Sequence, residues 1–223
     1  MRDALEKFYA FLEQPVFFRA RFVLVLLVVP IALSFLQPLW RIEMRAPQYP
    51  NGLSVDIYSY TVEGGRDGAD LREINLLNHY IGMKKLDRAD LSDLDWIPFA
   101  LGVIAILTLR VAAIGNVRSL VDLGVMTCYF GAFSMGRFVY KLYGYGHNLN
   151  PEAPVKVEPF TPVILGTKPV GNFLTHGAPG NGTWLLVTFA AGVGALLLWH
   201  LVAGRRRAVA EARPAASPRV GGA

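Results

Sequence analysis

The stretch FVLVLLVVPIALSFLQP, residues 22–38, contains no ionisable side chain and gives the strongest indication of fold class. Three further apolar runs begin near Trp96, Leu120 and Trp184. Each of the four runs is about 18 to 21 residues long, which is roughly what a helix needs to cross a hydrocarbon core about 30 Å thick. Helices of this kind satisfy their own backbone hydrogen bonds in lipid. The sequence therefore predicts an all-α membrane protein with four transmembrane helices.

The composition agrees with a membrane protein and argues against a large soluble domain. Of 223 residues, 53% are hydrophobic and 17% are charged, and the mean hydropathy is +0.35. The net charge of +5 requires no nucleic acid partner, because basic cytoplasmic flanks that meet anionic lipid headgroups explain it. Cys128 is the only cysteine, which excludes an internal disulfide and a CxxC site.

The distribution of basic residues predicts the orientation. Arg19, Arg21, Arg118 and the arginines at 205–207 lie in short flanking stretches, whereas the other basic residues are spread through longer segments rich in Asp and Glu. Short basic flanks stay in the cytoplasm, so both termini are expected there. In chain order the prediction is a cytoplasmic interfacial helix (1–21), a first span (22–40), a periplasmic segment (41–95) and a second span (96–114). A cytoplasmic turn (115–119), a third span (120–142), a periplasmic loop (143–182), a fourth span (183–203) and a disordered cytoplasmic tail (204–223) follow.

Three polar residues in or near the predicted spans require a specific environment. Arg137 and Lys141 belong to the third span, where charged side chains are unfavourable against lipid. We expect both to face the interior of the helix bundle or the headgroups. His200 is the only histidine in a predicted span, which excludes a bis-histidine haem held between two helices of one chain.

The first periplasmic segment shows a strand pattern followed by a helix pattern. Leu53, Val55 and Ile57 alternate with other residues, which predicts a short strand. From Asp70 onward the apolar residues recur at helical spacing, and Asp70 itself is a suitable N-cap. The predicted fold therefore has two ordered periplasmic segments, and the first of them contains this short strand and this helix.

A candidate pair of metal ligands lies on that helix. His79 and Met83 are four residues apart, so their side chains are on the same helix face. Imidazole and thioether donors together suit Cu(I) better than Zn, Mg or Ca. A second interpretation stays open, because methionine is a common core filler and histidine a common hydrogen-bonding residue. Glu73 is expected to orient an imidazole as an acceptor behind the ligands.

The second periplasmic segment is expected to be ordered without regular helix. It begins YGYGHNLNPEAPVKVEPFTPVILG, in which prolines at 151, 154, 159 and 162 interrupt any helix. Its apolar residues predict an extended loop packed over the first segment. His147 would then approach His79 and Met83, which gives a copper site of two histidines and one methionine.

Two strings resemble a known group of proteins. EINLLNHYIGMKKL (73–86) and YGHNLNPEAPVKVEPFTPVILG (145–166) resemble paired motifs of small bacterial four-span membrane proteins associated with copper handling and nitrous-oxide reductase maturation. The resemblance implies the bacterial inner membrane and, as partner, a copper-dependent respiratory enzyme or its assembly proteins. It covers about a sixth of the chain, and the CxxxC and Met-rich patterns of copper carriers are absent. By this resemblance the functional residues are His79, Met83 and His147 as metal ligands, surrounded by Asn75, Asn78 and Asn148.

Three classes of function follow from these features. The first is an accessory protein that binds or presents copper on the periplasmic side for assembly of a respiratory metalloenzyme. The second is a structural or assembly subunit of a membrane respiratory complex, in which the Asn, Tyr and Gly-rich motifs are packing or docking surfaces. The third is a redox or quinol enzyme with Tyr143, Tyr145 and His147 beside its pocket, although no sequence signature supports it. The first two predict no catalytic turnover.

Overall fold

The computed structural model describes residues 2–170 and 172–204 of the chain. In chain order the elements are α1 (Arg2–Leu12), α2 (Phe18–Ser34), β1 (Trp40–Ala46), β2 (Tyr49–Ile57), β3 (Val62–Gly64), α3 (Ala69–Tyr80), α4 (Asp93–Ile114), α5 (Val117–His147), β4 (Gly166–Val170), β5 (Phe173–Pro179) and α6 (Asn181–Trp199). A 3₁₀ turn at Arg88–Asp90 precedes α4, and a π-helical turn at His200–Gly204 continues α6. The predicted disordered tail lies, from residue 205 onward, outside the described residues.

Four helices form a bundle in which α2 and α5 each contact both α4 and α6. Its interior is apolar, with Leu24, Leu101, Leu120 and Val193 almost fully buried. The outward faces are also apolar, since large side chains such as Phe22 and Ile106 are exposed there. A helix that is apolar on all sides is typical of a hydrophobic environment rather than of water.

Helices α4 and α6 run in the same direction, away from the sheet and toward the α1–α2 connection. The backbone N–H of Val117, just after α4, donates to the carbonyl of Gln14 at 2.9 Å. The N–H of Phe17 donates to Nε2 of His200, just after α6, at 3.1 Å. Arg21 adds a hydrogen bond of 3.0 Å to the carbonyl of Ala113 at the end of α4. The entry of α2 is therefore fixed to the ends of both helices.

The opposite end of the bundle carries a five-stranded antiparallel sheet of order β3-β2-β1-β5-β4. The central strand β1 pairs on both sides, so that Ile42 lies opposite Val55 on one side and Gly177 on the other. Helix α3 covers β2 and β3 and forms a small second core, in which Leu53, Val55 and Ile74 are each 1% exposed.

The predicted all-α fold with four transmembrane helices is wrong. The described chain contains the five-stranded sheet, and two of its helices are long and apolar enough to cross a membrane: α4, and α6 with its π-helical turn. Only 28% and 22% of their apolar stretches are buried inside the protein, so most of that surface faces outward. The two predicted spans at 96–114 and 183–203 fall on these helices.

The other two predicted spans fail for different reasons. Helix α2 has 17 residues, because it ends at Ser34 and the chain turns there before β1 begins at Trp40. Helix α5 has 31 residues, but Gly, Ser and Thr alternate with its apolar residues, and Arg118, Asp122, Arg137 and Lys141 lie along it. The extra strands were missed because β1, β4 and β5 contain charged residues, glycine or proline, and because β1 pairs with β5, which is remote in sequence.

Candidate functional site

The first motif folds as the end of α3 and a loop that α3 itself holds. The side-chain amide of Asn75 donates to the carbonyl of Leu86 at 3.2 Å, and its oxygen accepts the N–H of Leu86 at 2.7 Å. Asn78 is 7% exposed, and its amide donates to the carbonyl of Lys84 at 3.5 Å. The N–H of Met83 donates to the backbone carbonyl of Asn78 at 2.8 Å. Both asparagines, which were predicted to surround a metal, therefore hold the loop at 81–86 in place.

The second motif folds as the last turn of α5 and an irregular loop. The N–H of Asn148 donates to the carbonyl of Gly144 at 3.0 Å, so Asn148 closes the helix with its backbone while its side chain is exposed. The Nδ1–H of His147 donates to the carbonyl of Tyr143 at 3.0 Å. The two rings stack with their centroids 3.7 Å apart. This fixes both the plane of the imidazole and, for the neutral ring, its tautomer.

The two motifs meet, as the sequence predicted for the second segment. We define the junction as residues 80–86 and 145–155. The N–H of Asn150 donates to the carbonyl of Gly82 at 2.8 Å, and the N–H of Val155 donates to the carbonyl of Tyr80 at 2.9 Å. The hydroxyl of Tyr145 donates to the carbonyl of Lys85 at 3.1 Å. Three hydrogen bonds thus join segments that are about 60 residues or more apart in the chain.

Gly82 is required at the centre of the junction for two reasons. Its φ of +78° lies in the left-handed region, which side chains other than glycine rarely adopt. A Cβ at this position would also lie 2.8 Å from the carbonyl oxygen of Asn150 and 2.9 Å from Cβ of Ala153. Only glycine lets the two loops approach this closely.

The predicted metal ligands occupy three different environments. Met83 is partly buried in the loop that the asparagines hold, and His147 is partly buried at the end of α5. His79 is exposed near the end of α3, where its ring contacts Tyr80 edge-on and not His147. Residues 2–170 and 172–204 contain no group of three or more His, Cys, Asp or Glu side chains placed to hold a metal ion. A copper site here would therefore depend on the thioether.

Glu73 has a partner other than an imidazole. Its carboxylate accepts a hydrogen bond from the hydroxyl of Tyr49 on β2 at 3.1 Å. Burial raises the pKa of Tyr49, and the hydrogen bond and negative charge of Glu73 raise it further. Glu73 thus joins α3 to the sheet, and its role behind a metal ligand stays a prediction.

A second feature, which we call the subsheet cavity, lies between the sheet and helices α4, α5 and α6. Its volume is about 340 Å³, within the range of about 300 to 1,000 Å³ typical of ligand pockets. Its walls are almost entirely apolar, and Trp40, Ile104, Phe130 and Phe189 contribute large parts of them.

Charged residues line one side of the subsheet cavity. Arg137 contacts both carboxylate oxygens of Asp93 at 3.1 and 3.3 Å, and Lys141 lies 3.9 Å from the same carboxylate. Trp96 donates its indole N–H to Asp93 at 2.9 Å. The prediction that Arg137 and Lys141 face the bundle interior or headgroups agrees with this position. Asp93 was missed, although an acidic residue three positions before a long apolar run is a visible signal.

Comparisons with known proteins add no evidence on the function of this chain. No protein-family model matches the chain, and no curated protein or solved structure matches it. The association of the two motifs with copper therefore stays a prediction.

Proposed function

We propose that this protein is a membrane accessory protein that binds Cu(I) at the junction and presents it for assembly of a copper-dependent respiratory enzyme. One observation carries the proposal: the two motif segments are hydrogen-bonded to each other, so that Met83 in the loop at 81–86 and His147 at the end of α5 belong to adjoining segments. The donors come from separate parts of the chain, as a site built by the fold requires.

The donor set suits Cu(I) chemically. Because Nδ1 of His147 donates to a backbone carbonyl, the neutral ring keeps its Nε2 lone pair available for a metal. A carbonyl behind the imidazole is the usual arrangement for a metal-bound histidine, since it fixes ring orientation. The thioether of Met83 is a soft donor, which favours Cu(I) over harder cations. His79 completes the set only if its exposed side chain turns toward the junction.

For localisation we propose a multi-pass protein of the inner membrane with the junction in the periplasm. The end of the bundle remote from the sheet carries Arg19, Arg21 and Arg118, and such basic clusters favour the cytoplasmic side. The hydrogen bond between Phe17 and His200 holds the start of α2 and the end of α6 at this same end. Both termini are therefore proposed to be cytoplasmic, a prediction that labelling of single introduced cysteines from each side would test.

The decisive experiment measures bound copper. The full chain is purified in detergent under reducing conditions, loaded with Cu(I) and analysed by metal content, alongside the double variant His79→Ala, His147→Ala. We expect the wild type to retain copper and the double variant to lose it. The matched control is His176→Ala, because His176 is also exposed but lies in the sheet, where it contacts Thr167. Equal copper in the wild type and the double variant would refute the proposal.

A second candidate function is a non-catalytic subunit that docks on a membrane respiratory complex. The observation in its favour is a set of large side chains near the junction that are about half exposed: Leu76 (51%), Tyr80 (48%), Tyr143 (50%) and Val155 (49%). Exposed apolar residues that cluster are typical of interaction surfaces. The variant Leu76→Ser, outside the junction, distinguishes the two functions, since it would weaken docking while leaving copper content unchanged.

A further inference from the structure

The subsheet cavity is long as well as large. On α4 the residues that line it extend from Asp93 to Ile104, and on α5 they extend from Thr127 to Tyr145. At a rise of about 1.5 Å per residue, these stretches correspond to about 16 Å and about 27 Å of helix. Protein interiors are close-packed, and their voids rarely exceed the size of a water molecule. A cavity of about 340 Å³ that follows the helices therefore fits a chain-like molecule better than a compact one.

Aromatic contacts close two sides of the cavity. Toward the sheet, Trp40 packs against Phe138 of α5 with the ring centroids 5.0 Å apart. Between α4 and α5, Trp96 packs edge-on against Phe130 with the centroids 6.0 Å apart. All four rings line the cavity. A ligand therefore does not enter through the sheet or between α4 and α5.

The cavity opens between α5 and α6. These helices are close near Gly124, where an added Cβ would lie 3.1 Å from the side chain of Leu197. Nearer the sheet the exposed residues among those that line the cavity all belong to α5 and α6: Gly131, Met135, Val187 and Ala190. A residue that lines a cavity and is also exposed stands at its mouth. Since most of the apolar surface of α6 faces outward, this mouth faces the hydrocarbon of a membrane.

Ser134 gives an independent indication of a ligand. It lines the cavity, and its hydroxyl oxygen is buried without a hydrogen-bond partner among the described residues. Hydroxyls in helices commonly donate to the carbonyl four residues earlier, as Thr127 does to Leu123 at 2.8 Å on the same helix. One turn away on the same face, Phe130 and Phe138 offer no acceptor. A buried hydroxyl without a partner is unfavourable, so an oxygen acceptor on the ligand would satisfy it.

The charged residues of the cavity already have partners in the protein. Arg137 forms two hydrogen bonds with Asp93, at 3.1 and 3.3 Å. Lys141 contacts Asp93 at 3.9 Å and the hydroxyl of Ser92 at 3.5 Å. The walls are otherwise almost entirely apolar, and burial of a charge against such walls is unfavourable. These observations favour an uncharged ligand.

We propose that the subsheet cavity binds one fatty-acyl chain of an uncharged lipid ester, which enters from the membrane between α5 and α6. The ester carbonyl accepts from the hydroxyl of Ser134, and the hydrocarbon chain lies along the apolar walls of α4 and α5. The chain matches the length of the cavity, the carbonyl matches the hydroxyl without a partner, and the route matches the mouth. The proposal is independent of copper binding at the junction.

The test uses two tryptophans of the cavity wall as reporters. Trp40 and Trp96 line the cavity, whereas Trp184 and Trp199 are exposed on α6. The full chain with Trp184→Phe and Trp199→Phe is purified in a non-ionic detergent and titrated with methyl dibromostearate, whose bromine atoms quench tryptophan fluorescence on contact. Dibromooctadecane, which has the same chain and no ester, is titrated in parallel. We expect saturable quenching by the ester and about threefold to tenfold weaker binding of the alkane, the effect of losing one hydrogen bond.

Residues at the mouth supply matched pairs of variants. A Cβ added at Gly131 or at Gly136 meets no atom within 4 Å, but only Gly131 lines the cavity. Gly131→Leu should weaken the ester by about tenfold or more, because the leucine displaces at least two methylene groups of the ligand. Gly136→Leu should leave the affinity unchanged. Ala190→Leu, compared with Ala191→Leu outside the cavity, repeats the comparison on α6 if Gly131→Leu does not fold.

A second pair tests the hydrogen bond to the carbonyl. Ser134→Ala should weaken the ester by about threefold to tenfold and leave dibromooctadecane unchanged, because the alkane has no acceptor to lose. Thr127→Val also removes a hydroxyl from the cavity wall, but one that already donates to Leu123, so it should weaken neither ligand. Equal quenching in the leucine variants and their controls would overturn the site, and equal affinity of the wild type for the two ligands would overturn the ester.

Discussion

Replacement of Asp70 by asparagine tests how α3 is attached to the sheet. Asp70 is 3% exposed and lies in the first turn of α3, where its carboxylate accepts from the N–H of Ser54 at 3.0 Å and from the Ser54 hydroxyl at 3.3 Å. It also forms a short ion pair with Arg66. Since Ser54 belongs to β2, this one carboxylate joins the helix to the strand it covers.

The expected loss of stability can be estimated from these contacts. Asparagine keeps an acceptor for the Ser54 N–H but removes the charge, and hydrogen bonds to charged groups contribute about 1.5 to 3 kcal/mol. The side chain of Arg66 is 55% exposed, so solvent screening reduces the ion pair to about 1 kcal/mol or less. We therefore expect Asp70→Asn to lower the free energy of unfolding of the sheet region by about 1 to 2 kcal/mol. Asp70→Ala, which leaves the Ser54 N–H unpaired, should lower it by about 2 to 4 kcal/mol.

The pH dependence gives this prediction a sign. Burial by itself would raise the pKa of Asp70, but the hydrogen bonds from Ser54 and Arg66 and the charge of Arg66 outweigh it and lower the pKa. A carboxyl whose pKa is lower in the folded state stabilises the fold above its unfolded pKa of about 3.9, and that contribution disappears as the pH falls through the folded pKa. The difference between wild type and Asp70→Asn should thus be constant from about pH 7 to pH 5 and shrink below about pH 4.

The assay is denaturant unfolding in detergent, combined with hydrogen exchange of residues 49–57 and 69–80. The matched control is Asp67→Asn, which removes the same charge from an exposed residue in the same turn. Asparagine tolerates the φ of +54° that Asp67 adopts, so this variant introduces no backbone strain. Equal destabilisation by both variants, or a difference that does not shrink at all as the pH falls below about 4, would refute the role given to Asp70.

Three further predictions concern the bundle and the junction. His200 is 1% exposed and accepts the N–H of Phe17 through Nε2, so His200→Phe, which keeps an aromatic ring, should lower stability by about 1 to 3 kcal/mol, and His200→Ala by about 2 to 5 kcal/mol, in thermal unfolding; unchanged stability of His200→Phe would refute the hydrogen-bond contribution. Gly82→Ala should separate the junction and increase hydrogen exchange at Asn150, with a loss of about 1 to 3 kcal/mol from its unfavourable φ and contacts; unchanged exchange would contradict the close approach. Asn75→Ala removes two hydrogen bonds to the loop at 81–86 and should increase proteolysis of that loop, while Asn148→Ala, whose side chain is exposed, should not.

Much of the helical structure could be predicted from local pattern. The apolar runs at 22–40, 96–114, 120–142 and 183–203 overlap α2, α4, α5 and α6, although only α4 and α6 are long and apolar enough to cross a membrane. The alternation at residues 53–57 falls in β2, and the helix expected from Asp70 is α3. These patterns are visible because period and hydrophobicity are properties of neighbouring residues.

Only part of the candidate site could be predicted from local sequence pattern. Contact between the two motif segments was predicted, but the hydrogen bonds of Asn75 and Asn78 to the loop and of Glu73 to Tyr49 were not. Hydrogen-bonding side chains accept many partners, so residue type and spacing do not select one. The metal assignment itself stays a prediction.

The amino-acid sequence by itself determined where helices form, which stretches are apolar, and that the two long polar segments are ordered. The tertiary structure decided that β1 joins strands from both segments, that Asp93 meets Arg137 across 44 residues, and that a cavity opens beneath the sheet. The physical reason is the distance along the chain between the residues that determine each feature. Helical periodicity depends on residues three or four apart, whereas strand pairing, ion pairs and cavities depend on which distant surfaces pack together.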